Sequence, residues 1–483
     1  MKHIIIGNGI IALSIAFKLL KQSLENDEIV IIGPNHREGS ATNAAGAMLN
    51  SYAEFNPLTL KTKAGSAYFD ISRQATKDWP NFISDIFDWS KNNLSKKFPE
   101  KSQIFKSGYF GMGTYILNNT SSDEFDDANY ESIIYALKKF KEPFEFVNPK
   151  EIPNYKPSQK NRAIQSVFIP GEGWLNPSLV IEQLDQILIN HPKVKFVDDI
   201  VCKLDSKNNK ITSIILSNEK KIEGDTYLVA NGANAGELIS KSKLGLKIQK
   251  MFYGVGVSIQ LDTQGNPHKN CIRTPNRGGG CGVYSIPHYL GEDETKDHIM
   301  VGATNYISNE PKKFPRISGI ETLMRNAINE INNNFYAATL IKTNVGWRPT
   351  TQDTFPLLGK SSLDNLFVAT GTKRDGFHNS PVISENIASL MRENKAINKE
   401  FQIFNPEREF LKELSREDAI ETIVNGLMSE HYQHDYNPPN IRMNEMVKRT
   451  HREEVEKLHD KIGAFEWGIP QELVPMYRRG YAK

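Results

Sequence analysis

Two arginines, Arg348 and Arg374, lie in turn-like settings within GWRPTTQDTFPLLGKSSLDNLFVATGTKRDGFHNSP and flank one run, Leu366 to Ala369, that reads as a buried strand. A guanidinium is planar, permanently charged and matched to a carboxylate in two-point contact. A pair converging on one pocket therefore fixes a small anion in a single orientation. That chemistry points to an amino acid or a hydroxy acid. Taken singly, an arginine is ordinarily a surface ion pair, so the weight these two carry comes from their company elsewhere in the chain.

The first element that must position them is at the N-terminus. Gly7-Asn8-Gly9-Ile10-Ile11-Ala12 falls between a strand, His3 to Ile6, and a helix running from about Ile10 to Gln22, with a second strand at Glu28 to Ile32. In a dinucleotide fingerprint the first glycine permits the tight turn and the second lets backbone approach a pyrophosphate. Ala12 then allows close helix packing, and the helix N-terminus presents its amides to the phosphates. The acidic residue that normally closes the second strand is missing, because Gly33 and Pro34 stand there, followed by His36 and Arg37. Two readings stay open on these residues: FAD held by backbone and other side chains, or a cofactor whose 2′-phosphate meets Arg37.

Bulk properties exclude several classes. The 483 residues carry 59 Lys and Arg against 57 Asp and Glu, a net charge of +2 that makes no electrostatic case for nucleic acid or an anionic membrane. Cys202, Cys271 and Cys281 show no metal-ligand spacing, so no metal site is expected, and free thiols fit a reducing, cytoplasmic compartment. The apolar N-terminus is interrupted by Gly7 and Gly9 and lacks a cleavage pattern, which argues against a signal peptide. With no run of 18 apolar residues, no membrane span is expected.

Along the chain, residues 56 to 100 have helical periodicity with Trp79, Phe82, Ile86, Phe87 and Trp89 on the apolar face, closed by Pro99. A polar loop at 118 to 129 leads into a helix from Tyr130 to Lys141. VKFVDDIVCKL, KITSIILS and KKIEGDTYLVANGA read as a small antiparallel set feeding a buried strand, Thr226 to Ala230. Short strands dominate from Lys247 to Thr304, and Ser318 to Asn332 reads as a helix. Residues 411 to 483 are charged and helical, with Met443, Met446, Val447, Val455, Leu458 and Ile462 at helical spacing. Such a stripe packs against the body or a partner chain, a second copy included.

Together these segments resemble the FAD-dependent D-amino acid oxidase superfamily, most closely its glycine oxidase and sarcosine oxidase branch, over residues 3 to 409. ATNAAGAMLNSYAE is similar to the family loop along the flavin and carries Thr42, Asn43, Ala44, Ala45, Gly46, Met48 and Leu49. Val201 takes the place of a valine whose backbone meets the adenine, and LVANGANAGEL supplies Ala230, Gly232 and Ala233 beneath the cofactor. VYSIPHYL followed by IMVGAT places Tyr284 on a tyrosine that contacts the substrate carboxylate. GWRPTTQDTFPLLG places Gly346 beside the flavin and Arg348 on the carboxylate-binding arginine, and GTKRDGFHNSP places Arg374 on the second arginine, with Asp375, Gly376 and Phe377 at the flavin edge. The departures are Gly33 for the ribose acid, Thr372 and Lys373 for a histidine and an aromatic residue, His288 for an arginine, and Asp375.

The resemblance implies an α/β fold with a FAD-binding Rossmann-like domain, a second and mainly antiparallel β-sheet substrate domain, and a C-terminal helical extension. The expected boundaries are 1–85, 165–245 and 345–400 for the FAD-binding domain, 86–164 and 246–344 for the substrate domain, and 405–483 for the extension. It implies a flavin enzyme that oxidises the C–N bond of a small amino acid or N-substituted amino acid by hydride transfer. A helix starting near Pro381 would turn its positive end toward the flavin. Alternatives are a dehydrogenase of an amino or 2-hydroxy acid with a non-oxygen acceptor, an NADP-linked reductase using Arg37, and a flavin-binding scaffold or sensor without turnover. His288 and His378 read first as structural residues, Lys373 as solvated, and Cys281 as a free thiol rather than a covalent flavin link.

Overall fold

The structure is a computed structural model and describes residues 1–93, 108–119, 124–278, 282–288, 290, 293–433, 436 and 438–482. Its first layer is a six-stranded sheet whose spatial order is Leu357–Lys360, Leu366–Thr370, Thr226–Val229, Lys2–Ile6, Glu28–Ile32 and Val194–Val197. All neighbours are parallel except the first pair. These strands are almost continuously apolar because both faces are covered. Ile5 and Ile31 face a core built with the helices Ile10–Lys21, Lys63–Asn93, Pro177–Ile189 and Ser380–Glu393. Ile4, Ile6 and Val30 face a second core closed by the helix Ala235–Ser242 and by the three-stranded sheet Val201–Lys207, Lys210–Leu216 and Lys221–Ile222.

The segment VKFVDDIVCKL thus divides between two sheets instead of forming one antiparallel set. Its two aspartates turn the chain. Asp198 accepts from the Asn35 amide and side chain at 2.9 and 2.8 Å, while Asp199 accepts from the Ile200 amide at 2.7 Å.

The second layer is a ten-stranded sheet. Its spine is the pair Met251–Asp262 and Thr339–Thr351, antiparallel along their whole length, with Gly254 opposite Arg348 and Gly256 opposite Gly346. Short strands are expected from Lys247 to Thr304. The strand is in fact twelve residues long, and its glycines are gaps over which a side chain lies. Ala163–Leu175 pairs antiparallel with Phe110–Asn119 in the same sheet, while its end pairs with Met48–Leu49 and places Leu175 in the first core. Among the helices, the one expected from Tyr130 begins earlier, at Glu124, where Glu124, Asp126 and Asp127 favour the positive end. The one expected to Asn332 ends at Asn326 and continues as a π turn, Ala327–Ile331.

The extension forms two long helices, Arg416–Gln433 and Ile441–Ile462, and a short terminal one, Val474–Arg478. Ile420, Ile423, Val424, Val455, Leu458 and Leu473 make its core, and Phe252 and Ile307 of the large sheet complete it. The extension therefore packs against the body. Only the later half of its apolar stripe is used: Val455 is 0% exposed, whereas Met446 is 46% exposed. The contact is close enough that a Cβ at Gly278 would sit 2.0 Å from the Gly426 carbonyl oxygen. No described helix is long and apolar enough to cross a membrane.

Replacing Ile423 by alanine removes a fully packed side chain from this shared core. It should lower stability by about 2–5 kcal/mol, read by denaturant unfolding, with limited proteolysis cutting residues 411 to 482 first.

Candidate active site

The cleft between the layers begins at the N-terminus of Ile10–Lys21. Gly7 has φ +121°, and a Cβ there would lie 2.4 Å from the Ala230 carbonyl oxygen, so only glycine fits this turn. The Ile10 amide donates to Thr42 Oγ1 at 3.1 Å, which fastens the small-residue loop to the helix start. Of the residues expected to hold a cofactor, Gly7, Gly9, Ile10, Ile11, Arg37, Thr42, Ala44, Ala45, Gly46, Met48, Ala230, Gly232, Gly346, Arg348, Arg374, Asp375, Gly376 and Phe377 line one continuous cleft. Ala12, Asn43 and Val201 stand outside that lining. Ala12 is instead buried against the sheet, and Val201 opens a strand in the second core.

The missing acid has a local cause. A Cβ at Gly33 would fall 2.7 Å from Asn8 Cγ, because the Asn8 side chain turns across the strand end and donates to the Pro34 carbonyl at 3.0 Å. The space of an acidic side chain is already filled. Arg37 reaches the cleft, but its Nη2 pairs with Asp185 Oδ1 at 2.6 Å, which spends its charge inside the protein and weakens the 2′-phosphate reading.

At the other end of the cleft the two arginines meet. Arg348 lies across Gly256, where a Cβ would come within 2.1 Å of Nη1. That nitrogen donates to the Thr304 carbonyl at 3.0 Å and to Asn305 Oδ1 at 3.1 Å. Tyr284 stands between Gly46 and Gly302, whose Cβ atoms would lie 2.8 and 2.1 Å from its hydroxyl oxygen. The Lys373 amide donates to the Pro349 carbonyl at 2.9 Å, so the turn bearing Arg374 is tied to the strand bearing Arg348.

Sequence reasoning missed the groups that answer these cations. Glu472, on the extension, accepts through one oxygen from Arg374 and from Lys373, the latter at 2.9 Å. Burial pushes its carboxyl up, but Arg374 and Lys373 outweigh that and hold it at about 2. Lys373 is thus bridged rather than solvated. Glu54 lies in the cleft and pairs with the fully buried Arg273 at 2.7 Å. Burial opposes its charge, yet Arg273 and Arg374 keep the carboxyl below the usual range. Asp375 goes the other way: burial and the Glu54 charge push it up to about 6.

His378 has structural partners, and the His288 amide donates to the His298 carbonyl at 3.0 Å. His378 contacts Thr76 Oγ1 at 2.8 Å through Nε2, accepts the Trp79 indole on its carbonyl at 2.7 Å, and is pushed by burial to about 4. His288 is buried, pushed down similarly, and absent from the cleft lining. Cys281 lies outside the described residues.

The model of the DAO family, FAD dependent oxidoreductase, matches residues 2–390. The chain belongs to this family. It is 24% identical over 400 residues to the bifunctional protein ThiO/ThiG of Nostoc sp., a match covering 81% of this chain and 53% of that protein. The chain thus spans about half the length of the curated relatives it matches. Among solved structures it is similar to iminodiacetate oxidase from Chelativorans sp. BNC1, at 18% identity, TM-score 0.67, and coverage of 84% of this chain and 100% of that one. It is similar to glycine oxidase from Geobacillus kaustophilus at the same identity and TM-score, covering 84% and 98%. The family match stops before the extension, so Glu472 lies beyond it.

The family cofactor, FAD, fits the residues present. The obligatory glycine at Gly7 leaves room for a phosphate-bearing chain, Asn231 Oδ1 is buried in the lining without a protein partner, and Ala44 and Gly346 meet so closely that a Cβ on the latter would lie 2.7 Å from the Ala44 Cβ. Residues Gly7 to Ile11 would hold the pyrophosphate, and Ala44 to Gly46 with Gly346 would flank the ring.

The carboxylates give opposite acid responses. Glu472 falls from 4.5 unfolded to about 2 folded, so its stabilisation is complete above pH 4.5 and is lost as pH falls toward 2. Glu472→Gln should therefore cost about 3 kcal/mol at pH 7 and progressively less as pH falls to 2. Asp375, raised from 3.8 to about 6, costs stability as pH rises through that window, so Asp375→Asn should gain on wild type above pH 6. Denaturant titrations across pH read both differences.

Proposed function

We propose that the protein oxidises the C–N bond of a small amino acid or N-substituted amino acid, with Arg348 holding the substrate carboxylate. The observation that carries this is the position of Arg348: anchored through Nη1 to Thr304 and Asn305, laid over Gly256, and facing the same cleft as Tyr284, Ala44 and Gly46. The names of the similar structures, glycine oxidase and iminodiacetate oxidase, support the substrate class.

Bound FAD supplies the hydride acceptor for this chemistry. The protein's share is orientation. An arginine fixed by two acceptors on one nitrogen keeps its remaining donors in a defined plane, so a carboxylate bound there sets the direction of the neighbouring C–H bond. Tyr284, held between two glycines, presents its hydroxyl from a ring that has no room to move. The helix Ser380–Glu393 turns its N-terminus to the turn Asp375 to Asn379, at the end of the cleft where negative charge develops. The imine product hydrolyses to a 2-oxo acid and ammonia or an amine.

Anaerobic mixing of the yellow protein with amino acids and N-methyl amino acids should bleach the flavin band. Arg348→Ala should reduce the second-order rate by about 2–5 kcal/mol of transition-state binding, and Arg348→Lys should restore only part of it because an ammonium lacks the fork. Reduction by a nicotinamide and by no carboxylate compound would sink this reading.

A further inference from the structure

We propose that Glu472 is a specificity-determining residue, a carboxylate carried by the C-terminal extension that occupies the Arg374 and Lys373 seat and limits the substrate to one carboxylate. This rests on the oxidation reading above and concerns the same site.

The geometry is that of a bound anion. One Glu472 oxygen receives both Arg374 and Lys373, and the other lies 3.4 Å from Asn305 Nδ2, while Asn305 Oδ1 accepts from Arg348 at 3.1 Å. A single amide therefore joins the substrate arginine to the built-in carboxylate. The Glu472 side chain is 13% exposed, so an incoming carboxylate reaches this seat only by displacing it.

Charge balance agrees. The fully buried Arg273 and the half-buried Glu54 cancel as a pair. Of Arg348, Lys373 and Arg374, Glu472 offsets one and ionised Asp375 another, which leaves one positive charge for the substrate. A second substrate carboxylate would find its counter-charge already taken, and an unpaired anion in a desolvated cleft is strongly disfavoured.

Shape agrees as well. Beyond Lys373, Arg374 and Asp375 the cleft opens into a cavity of about 550 Å³ that the extension walls with Gln471 and Glu472. A substituent on the substrate amine would extend there past Glu472. Neutral or cationic groups pass an anion favourably, and a carboxylate does not.

The test uses FAD-loaded full-length protein and two non-reducing probes, acetate and malonate, titrated by the perturbation of the flavin visible spectrum. Glu472→Gln should shift the ratio of malonate to acetate affinity toward malonate by about tenfold or more, and adding Lys373→Met should abolish the gain. Glycine and iminodiacetate as anaerobic reductants should show the same shift in KM with less change in the limiting rate. If Glu472→Gln loses FAD, Glu472→Asp retracts the carboxylate by one methylene while keeping its charge, and should move the ratio in the same direction by a smaller factor. A ratio unchanged within about twofold in a variant with a native flavin spectrum overturns the proposal. Because acetate and malonate need no turnover, this outcome is distinct from a wild-type protein that no amine reduces.

Discussion

The candidate substrate end of this molecule depends on compensating three cations, Arg348, Lys373 and Arg374, brought together on one cleft. Isolated, such charges would cost several kcal/mol each to desolvate. The chain meets that constraint with carboxylates drawn from distant elements, Asp375 beside Arg374 and Glu472 near the C-terminus, while Glu54 after the flavin-side loop answers Arg273. Each carboxylate in turn needs a rigid support. Glu472 has the core shared by the two extension helices with Phe252 and Ile307. Glu54 has Arg273 and the Asn276 side chain, which donates to it at 2.7 Å.

The same economy of space shapes the cofactor end. Parallel register places the Gly7 turn beside Ala230, and Thr370 Oγ1 donates to the Gly232 carbonyl at 2.8 Å, so three strand ends converge where the fingerprint helix begins. The Lys373 amide on the Pro349 carbonyl then links this sheet to the strand that bears Arg348. The candidate cofactor and substrate residues are thereby held by adjacent backbone, with the turn bearing Arg374 tied to the strand bearing Arg348.

Much of this was legible in residue order because it is local. The fingerprint, the apolar strands and the turn-bound arginines are short patterns whose chemistry follows from neighbours in sequence. What was not legible depends on distant partners. Gly33 reads as a lost ribose ligand until Asn8 is seen filling its place. The segment from Lys247 reads as short strands until Met251–Asp262 is seen paired along its length with Thr339–Thr351. Lys373 reads as a surface lysine because its counterion is far along the chain. Glu472 had no signal at all, since one glutamate among many in a charged helical tail looks like a solvated face.

That last case changes what the extension is. A tail that only packed could be exchanged for any apolar cover of similar area. This one delivers a charge, and Arg374 and Lys373 hold the Glu472 carboxyl well below its ordinary range even though its burial pushes the other way. The attraction at the site therefore contributes to docking the extension, while the apolar core around Ile423 and Val455 keeps the carboxylate in place. The departure at Lys373 then belongs with the extension as one unit, since the added cation shares a Glu472 oxygen with Arg374.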